Sequence, residues 1–319
     1  MKKICFLGAM LLYSSTLLAN SQPASLIAYE KPGATALLVD KSECSVNVYQ
    51  FNQHWENIYK VDCDVGKVAG DKLKEGDLKT PTGFYQLSQA WTGKTLRKQY
   101  GASAKIYGAG AFALNYPNYL DKVLYRKTGY GIWLHGTDKP HPEATRGCIA
   151  TSNEDLLELA RFINLKATPF IVEEKIDFLP EIKIRKIRNE LSDFVENWRK
   201  YWESDKTEKY LSLYSKKFKT QRFNYDQWKN YKRIVNRRNK NRKIELRDLV
   251  IFKVKGVYTV QFTQKYSSTR INSTGRKHLY VVRNQGKLRI VSEKFENLPQ
   301  HQPISPLQFA YKENEKTVF

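Results

Sequence analysis

Between residues 36 and 172 the apolar side chains recur at every second position in short runs closed by turn residues. From Phe194 onward they recur at helical spacing. Strand and helix faces do not share one regular layer, so this change of period near Lys183 divides the chain into two unlike parts. With 319 residues, each part can bury a core of its own. The first reads as strands over 36–40, 83–87, 111–114 and 131–134, with a hairpin over 44–63. One helix interrupts them. Ser152 and Asp155 form its capping signature, and Leu156, Leu157, Leu159, Ala160 and Ile163 supply its apolar face. The second part opens with two or three helices carrying Phe194, Trp198, Tyr201, Trp202, Tyr210, Leu213, Tyr214 and Phe218, the spacing of a core-facing stripe. Alternation then returns over 249–254, 257–262, 278–282 and 288–291. The expected fold is a mostly β domain with one main helix, followed by an α+β domain of helices on an antiparallel sheet.

Lys2 and Lys3 precede an apolar run from Ile4 to Leu18 and a small-x-small pattern, Ala19-Asn20-Ser21. This predicts an export signal over 1–21, a first domain over 22–180, a second over 181–300 and a tail over 301–319. The apolar run is short for a membrane span, and no cysteine stands at the cleavage point to accept lipid. A soluble mature protein outside the cytoplasm is therefore expected, with no membrane span. The formal net charge is +22, and residues from 181 onward hold 33 Lys and Arg against 14 Asp and Glu. Outside the cytoplasm nucleic acid is not the natural partner of such a charge. Anionic envelope components are, and a solvated face serving only solubility competes with that reading.

Cys44, Cys63 and Cys148 remain after the signal is removed. Residues 44–51 and 56–63 alternate as a hairpin around a loop from Asn52 to Trp55. Pairing Phe51 with Glu56 aligns Val46 with Val61, Val48 with Tyr59 and Cys44 with Cys63. A Cys44 to Cys63 disulfide is expected, leaving Cys148 as the free thiol. Two buried, unbridged cysteines are the alternative.

The stretch most able to carry chemistry is Gly131-Ile-Trp133-Leu-His135-Gly136-Thr137, a loop, and Thr145-Arg146-Gly147-Cys148-Ile149. Cysteine attacks as thiolate, and a nearby imidazole is one means of removing its proton. His135 is that imidazole, and a backbone carbonyl near Gly136 and Thr137 can fix its tautomer. Gly147 lets a substrate approach the backbone, where amides can stabilise an oxyanion. A buried core thiol is the plain alternative. A metal held by His135, His141 and Cys148 is another, although the spacing matches no common zinc site.

Read together, His135-Gly136, a loop and Thr145-Arg146-Gly147-Cys148-Ile149 resemble the signature of the YkuD-like L,D-transpeptidase catalytic domain. Lys79-Thr80-Pro81-Thr82-Gly83-Phe84-Tyr85 is similar to the family's turn into a strand, and 112–118 is similar to a segment of its Gram-negative branch. The resemblance spans about residues 35–173. It implies a YkuD-like β-sandwich, Cys148 as nucleophile, His135 as base and Gly147 at the oxyanion site. It adds Arg146, Gly136, Trp133, Asn115 and Tyr116 as substrate-binding candidates and implies no cofactor or metal. Ala150 stands where the family carries arginine, and Arg146 is the candidate substitute. The second half resembles the nuclear-transport-factor-2-like (NTF2-like) domain of a branch that includes cell-shape L,D-carboxypeptidases. The implied function is acyl transfer on the diaminopimelate-D-alanine bond of peptidoglycan stem peptides, in the periplasm. The alternatives are hydrolysis of tetrapeptide to tripeptide and a non-catalytic envelope-binding protein.

Overall fold

The computed structural model describes residues 21–139 and 143–296. Residues 1–20 of the expected signal and the tail from 301 lie outside the described residues, as does His141. Fifteen strands are described: β1 (Ser21–Pro23), β2 (Leu26–Ala28), β3 (Ala34–Asp40), β4 (Ser45–Phe51), β5 (Trp55–Asp62), β6 (Gly83–Thr92), β7 (Gly110–Leu114), β8 (Trp133–Thr137), β9 (Ile149–Ser152), β10 (Pro169–Glu173), β11 (Phe178–Pro180), β12 (Lys243–Val254), β13 (Val257–Ser267), β14 (Asn272–Asn284) and β15 (Lys287–Glu296). Eight of them form one sheet in the order β5-β4-β3-β10-β6-β7-β8-β9. Its alternating side chains supply a core of Leu37, Val39, Val48, Tyr85, Phe112, Leu134, Ile149 and Phe170. The helix Asn153–Ala160 closes over it with Leu156, Leu159 and Ala160. Ser152 caps that helix, its Oγ accepting from the Asp155 amide at 3.0 Å.

The second half is a sheet ordered β15-β14-β13-β12-β2, packed against the helix Glu181–Glu203 and two more, Thr207–Ser212 and Tyr225–Arg238. The aromatic stripe is its core. Trp198 is fully buried and donates from Nε1 to the Tyr214 hydroxyl at 2.9 Å, and that hydroxyl donates to Glu293 Oε2 at 2.6 Å. The polar ends of these rings are thus satisfied where the rings are buried.

Several expectations need correction. β2, expected in the first domain, pairs with β12 and so extends the second domain's sheet. Leu26, Leu38, Ile171, Val250 and Phe252 then share one core cluster between the halves, with Phe84 stacked on Phe252 at 4.6 Å. The hairpin pairs Val46 with Val61 and Val48 with Tyr59, but a bulge after Val48 shifts the outer end so that Phe51 meets Trp55. The loop is accordingly one residue shorter than expected. Cys44 and Cys63 are free thiols, not the expected bridge. Their backbones touch, Cys63 N donating to Cys44 O at 2.7 Å. Cys44, however, sits at φ 50° and is exposed, while Cys63 belongs to the core at 2 % exposure, so the two thiols lie in different environments. Short helices at Gly93–Tyr100 and Tyr119–Val123 and a 3-10 turn at Gly101–Tyr107 were not expected. The first buries only Gly93 and Leu96, too few residues to print a period.

Candidate active site

His135 lies within β8, not at a strand end, with Ala111 of β7 on one side and Ala150 of β9 on the other. This central position fixes its backbone, and its side chain is buried at 7 % exposure. Nδ1 lies 2.8 Å from Gly136 O. A carbonyl only accepts, so Nδ1 carries the proton and Nε2 keeps its lone pair. Burial holds the imidazolium below its ordinary pKa, against the opposing pull of the Gly136 hydrogen bond and Asp64, so the ring is neutral at pH 7.

Cys148 ends a loop tied to two others. Thr145 Oγ1 donates to Cys148 O at 2.7 Å and accepts from Gly147 N at 3.0 Å. Thr80 Oγ1 accepts from Gly66 N at 2.7 Å and reaches Gly147 O at 3.1 Å. The Lys79-to-Tyr85 motif thus holds the backbone beside the thiol. Gly147 adopts φ +123°, and a Cβ there would meet Lys79 O at 2.7 Å, so no other side chain fits. Its amide is committed to Thr145, which leaves the Cys148 amide as the nearer oxyanion candidate. Cys148 is half-buried. Burial pushes its thiol up, while a backbone hydrogen bond with Trp133 and the charge of Lys72 pull it down.

His135 and Cys148 line one cleft of about 660 Å³, together with Arg146, Ala150, Lys72, Asp64, Tyr107 and Tyr130. Of the expected substrate residues, Arg146 is at this cleft and exposed. Gly136 serves the site through its carbonyl; a Cβ on it would strike Asn153 Oδ1 at 2.4 Å. Trp133 stands behind the cleft in an aromatic cluster with Trp91 and Tyr107, at 5.1 and 4.7 Å between centroids. Asn115 and Tyr116 are not brought to this cleft. The Asn115 side chain is spent on Gln86 N at 3.0 Å, and Tyr116 is buried with its hydroxyl donating to Thr128 O at 3.1 Å. Tyr107 and Lys72 were missed. Tyr107 sets its ring edge-on to His135 at 5.2 Å and 87°, from a 3-10 turn that leaves no periodic signal.

The eight-stranded sheet with its His135 and Cys148 cleft, joined to a helix-and-sheet partner, defines a class: a two-domain protein whose first domain is of the L,D-transpeptidase kind. Residues 34–172 match the L,D-transpeptidase catalytic domain and residues 190–294 the Cds6 C-terminal NTF2-like domain. The chain belongs to the L,D-transpeptidase family, in its two-domain form with a C-terminal NTF2-like domain. It is similar to Bd1075 of Bdellovibrio bacteriovorus at 31% identity and a TM-score of 0.74, over 88% of this chain and 100% of that one. It is also similar to the helical cell shape determining protein Pgp2 of Campylobacter jejuni at 29% identity and a TM-score of 0.72, over 86% and 95% of the two chains. A search of the curated proteins finds no match. Among the described residues no helix is long and apolar enough to cross a membrane, which says nothing of β-barrels.

Proposed function

We propose that this protein is a periplasmic enzyme that removes the terminal D-alanine from peptidoglycan stem tetrapeptides through a thioester on Cys148. The observation that carries the reading is the Nδ1 contact to Gly136 O, which leaves Nε2 of His135 as a base in the same cleft as the thiol. Nε2 takes the thiol proton as Sγ attacks the carbonyl at the L-centre of diaminopimelate. The carbonyl oxygen, charged in the tetrahedral intermediate, is met by the Cys148 amide. Collapse breaks the C–N bond, and the imidazolium returns its proton to the departing D-alanine amine. Water, deprotonated by the same nitrogen, then releases tripeptide and restores the thiol. Hydrolysis is favoured by the likeness, through both domains, to a cell-shape determinant, since trimming a stem removes a donor for later cross-linking.

A second reading, transfer of the thioester to an amine of another stem, is favoured by the volume of the cleft, about 660 Å³, with Ile106 and Tyr130 exposed among its lining residues. The basic second half, 33 cations against 14 anions from residue 181, suits docking on anionic envelope components. The test is mass analysis of disaccharide tetrapeptide incubated with the mature protein and with Cys148→Ala. Tripeptide formed only by the unmodified protein supports hydrolysis, and diaminopimelate-linked dimers support transfer. No Cys148-dependent product refutes both.

A further inference from the structure

The cleft contains one cation that is buried in its wall. Lys72 lines the same space as Cys148 and His135, yet its side chain is only 4% exposed. Its Nζ is anchored by Asp77 Oδ1 at 2.7 Å and by Lys74 O at 3.2 Å. Asp77 is itself spent on the chain: it accepts from the amides of Leu73 at 2.8 Å, Lys74 at 3.0 Å and Lys79 at 3.2 Å. Lys72 beside it and these amide bonds hold the Asp77 carboxyl well below the usual range despite burial, so Asp77 stays ionised. An ammonium has three protons, and two of these are accounted for. Holding a lysine this rigidly forfeits most of its side-chain entropy, a cost that the exposed ion pairs elsewhere on this surface avoid.

The other cleft cations are built differently. Lys139 is 58% exposed and spent on Glu143 at 2.6 Å, and Arg146 is exposed. The position paired with His135 in the neighbouring strand is Ala150, which brings no charge. We infer that Lys72 is the carboxylate-recognition residue of the cleft, its free ammonium proton engaging a substrate carboxylate beside the bond that Cys148 attacks. The inference rests on the acyl-transfer reading of the cleft. A stem tetrapeptide carries two such carboxylates near that bond, on the terminal D-alanine and on the D-centre of diaminopimelate. A preset cation there favours the bound anion without reorganising, which a solvated surface lysine does not.

The test compares iodoacetate, an anion, with neutral iodoacetamide as alkylating agents of Cys148 in the full mature chain, read by peptide mass analysis. Both reagents consume the same thiolate, so any change in thiol activation or loop order cancels in their rate ratio. In Lys72→Met the iodoacetate-to-iodoacetamide ratio should fall at least about threefold. In Lys72→Arg, which keeps the charge and guards against loss of the fold, most of the ratio should return. An unchanged ratio in Lys72→Met overturns the inference, as does an equal fall in both variants. With stem tetrapeptide, the loss of kcat/KM in Lys72→Met should vanish when the carboxylate it binds is amidated. Amidating D-alanine and diaminopimelate separately identifies which one, and a loss that survives both amidations overturns the inference. A ratio that falls while no stem peptide is turned over supports anion recognition by Lys72 and refutes the peptidoglycan reading instead.

Discussion

Thr80→Val isolates what the threonine hydroxyl does for the loop that carries Cys148, the proposed nucleophile. Thr80 is fully buried, and its Oγ1 accepts from Gly66 N at 2.7 Å while donating to Gly147 O at 3.1 Å. Valine nearly fills the same space, so little cavity term arises; what is lost is a partner for the half-buried Gly66 amide and the buried Gly147 carbonyl. Each orphaned group costs about 1–3 kcal/mol, and the carbonyl, with a second lone pair, lies toward the low end. The expected destabilisation is about 3 kcal/mol, measured by urea unfolding of the mature protein. Gly147 adjoins Cys148, so its release also lets the thiol wander, and a displacement of about 1 Å from productive geometry costs on the order of a hundredfold in kcat. Thr80→Ser keeps the hydroxyl and should stay within about 1 kcal/mol of the unmodified protein. Should valine and serine prove equal in both unfolding and turnover, the hydroxyl does not organise the nucleophile loop and the reasoning fails.

Gly147→Ala forces a Cβ to within 2.7 Å of Lys79 O at φ +123°, and should cost about 1–3 kcal/mol in thermal or urea unfolding and depress alkylation of Cys148. His135, held below its ordinary 6.5 by burial, must be unprotonated to act as base, so kcat/KM should fall as the pH drops through a value below 6.5; His135→Ala should abolish that limb and lose about a hundredfold or more in rate. Burial pushes Glu173 up from 4.5 to about 7, so the folded state holds its proton longer than the unfolded chain does. Its contribution is full below pH 4.5 and is lost as the pH rises through 7, about 3 kcal/mol in all. Unfolding curves of Glu173→Gln should lack that decline between about pH 4.5 and 7, and parallel pH dependence in the two proteins would refute the assignment.

Where period carries information, the sequence was a sufficient guide to this fold. The change near Lys183 separates the two architectures because Phe194, Trp198 and Trp202 are spaced for one helix face, whereas Leu37, Val39, Val46 and Val48 alternate. Short elements escape such reading. β2 has three residues and is held by the strand it joins, so its loyalty to the second domain is a tertiary fact with no local trace. The hairpin shows the same limit on a finer scale. Apolar matching placed Val46 opposite Val61, but a bulge after Val48 adds a residue on one strand without disturbing that match.

The candidate site divides along similar lines. That His135 and Cys148 share one cleft was legible because both stand in local stretches bracketed by glycine. Asn115 and Tyr116 were misplaced because only the sheet order reveals which rim a strand end reaches, and theirs is turned toward Gln86 and Thr128. Lys72 was invisible because a lysine in a polar loop reads as solvated until Asp77 and its three amides are seen to enclose it. This wall also bears on how the cleft is controlled. Burial favours neutral forms of both His135 and Cys148, so the resting pair is thiol and imidazole rather than thiolate and imidazolium. A neutral thiol is a poor nucleophile toward adventitious electrophiles. If a carboxylate must first meet Lys72, the scissile carbonyl is already oriented at Sγ when proton transfer becomes worthwhile, and reactivity is confined to anionic substrates held in that register.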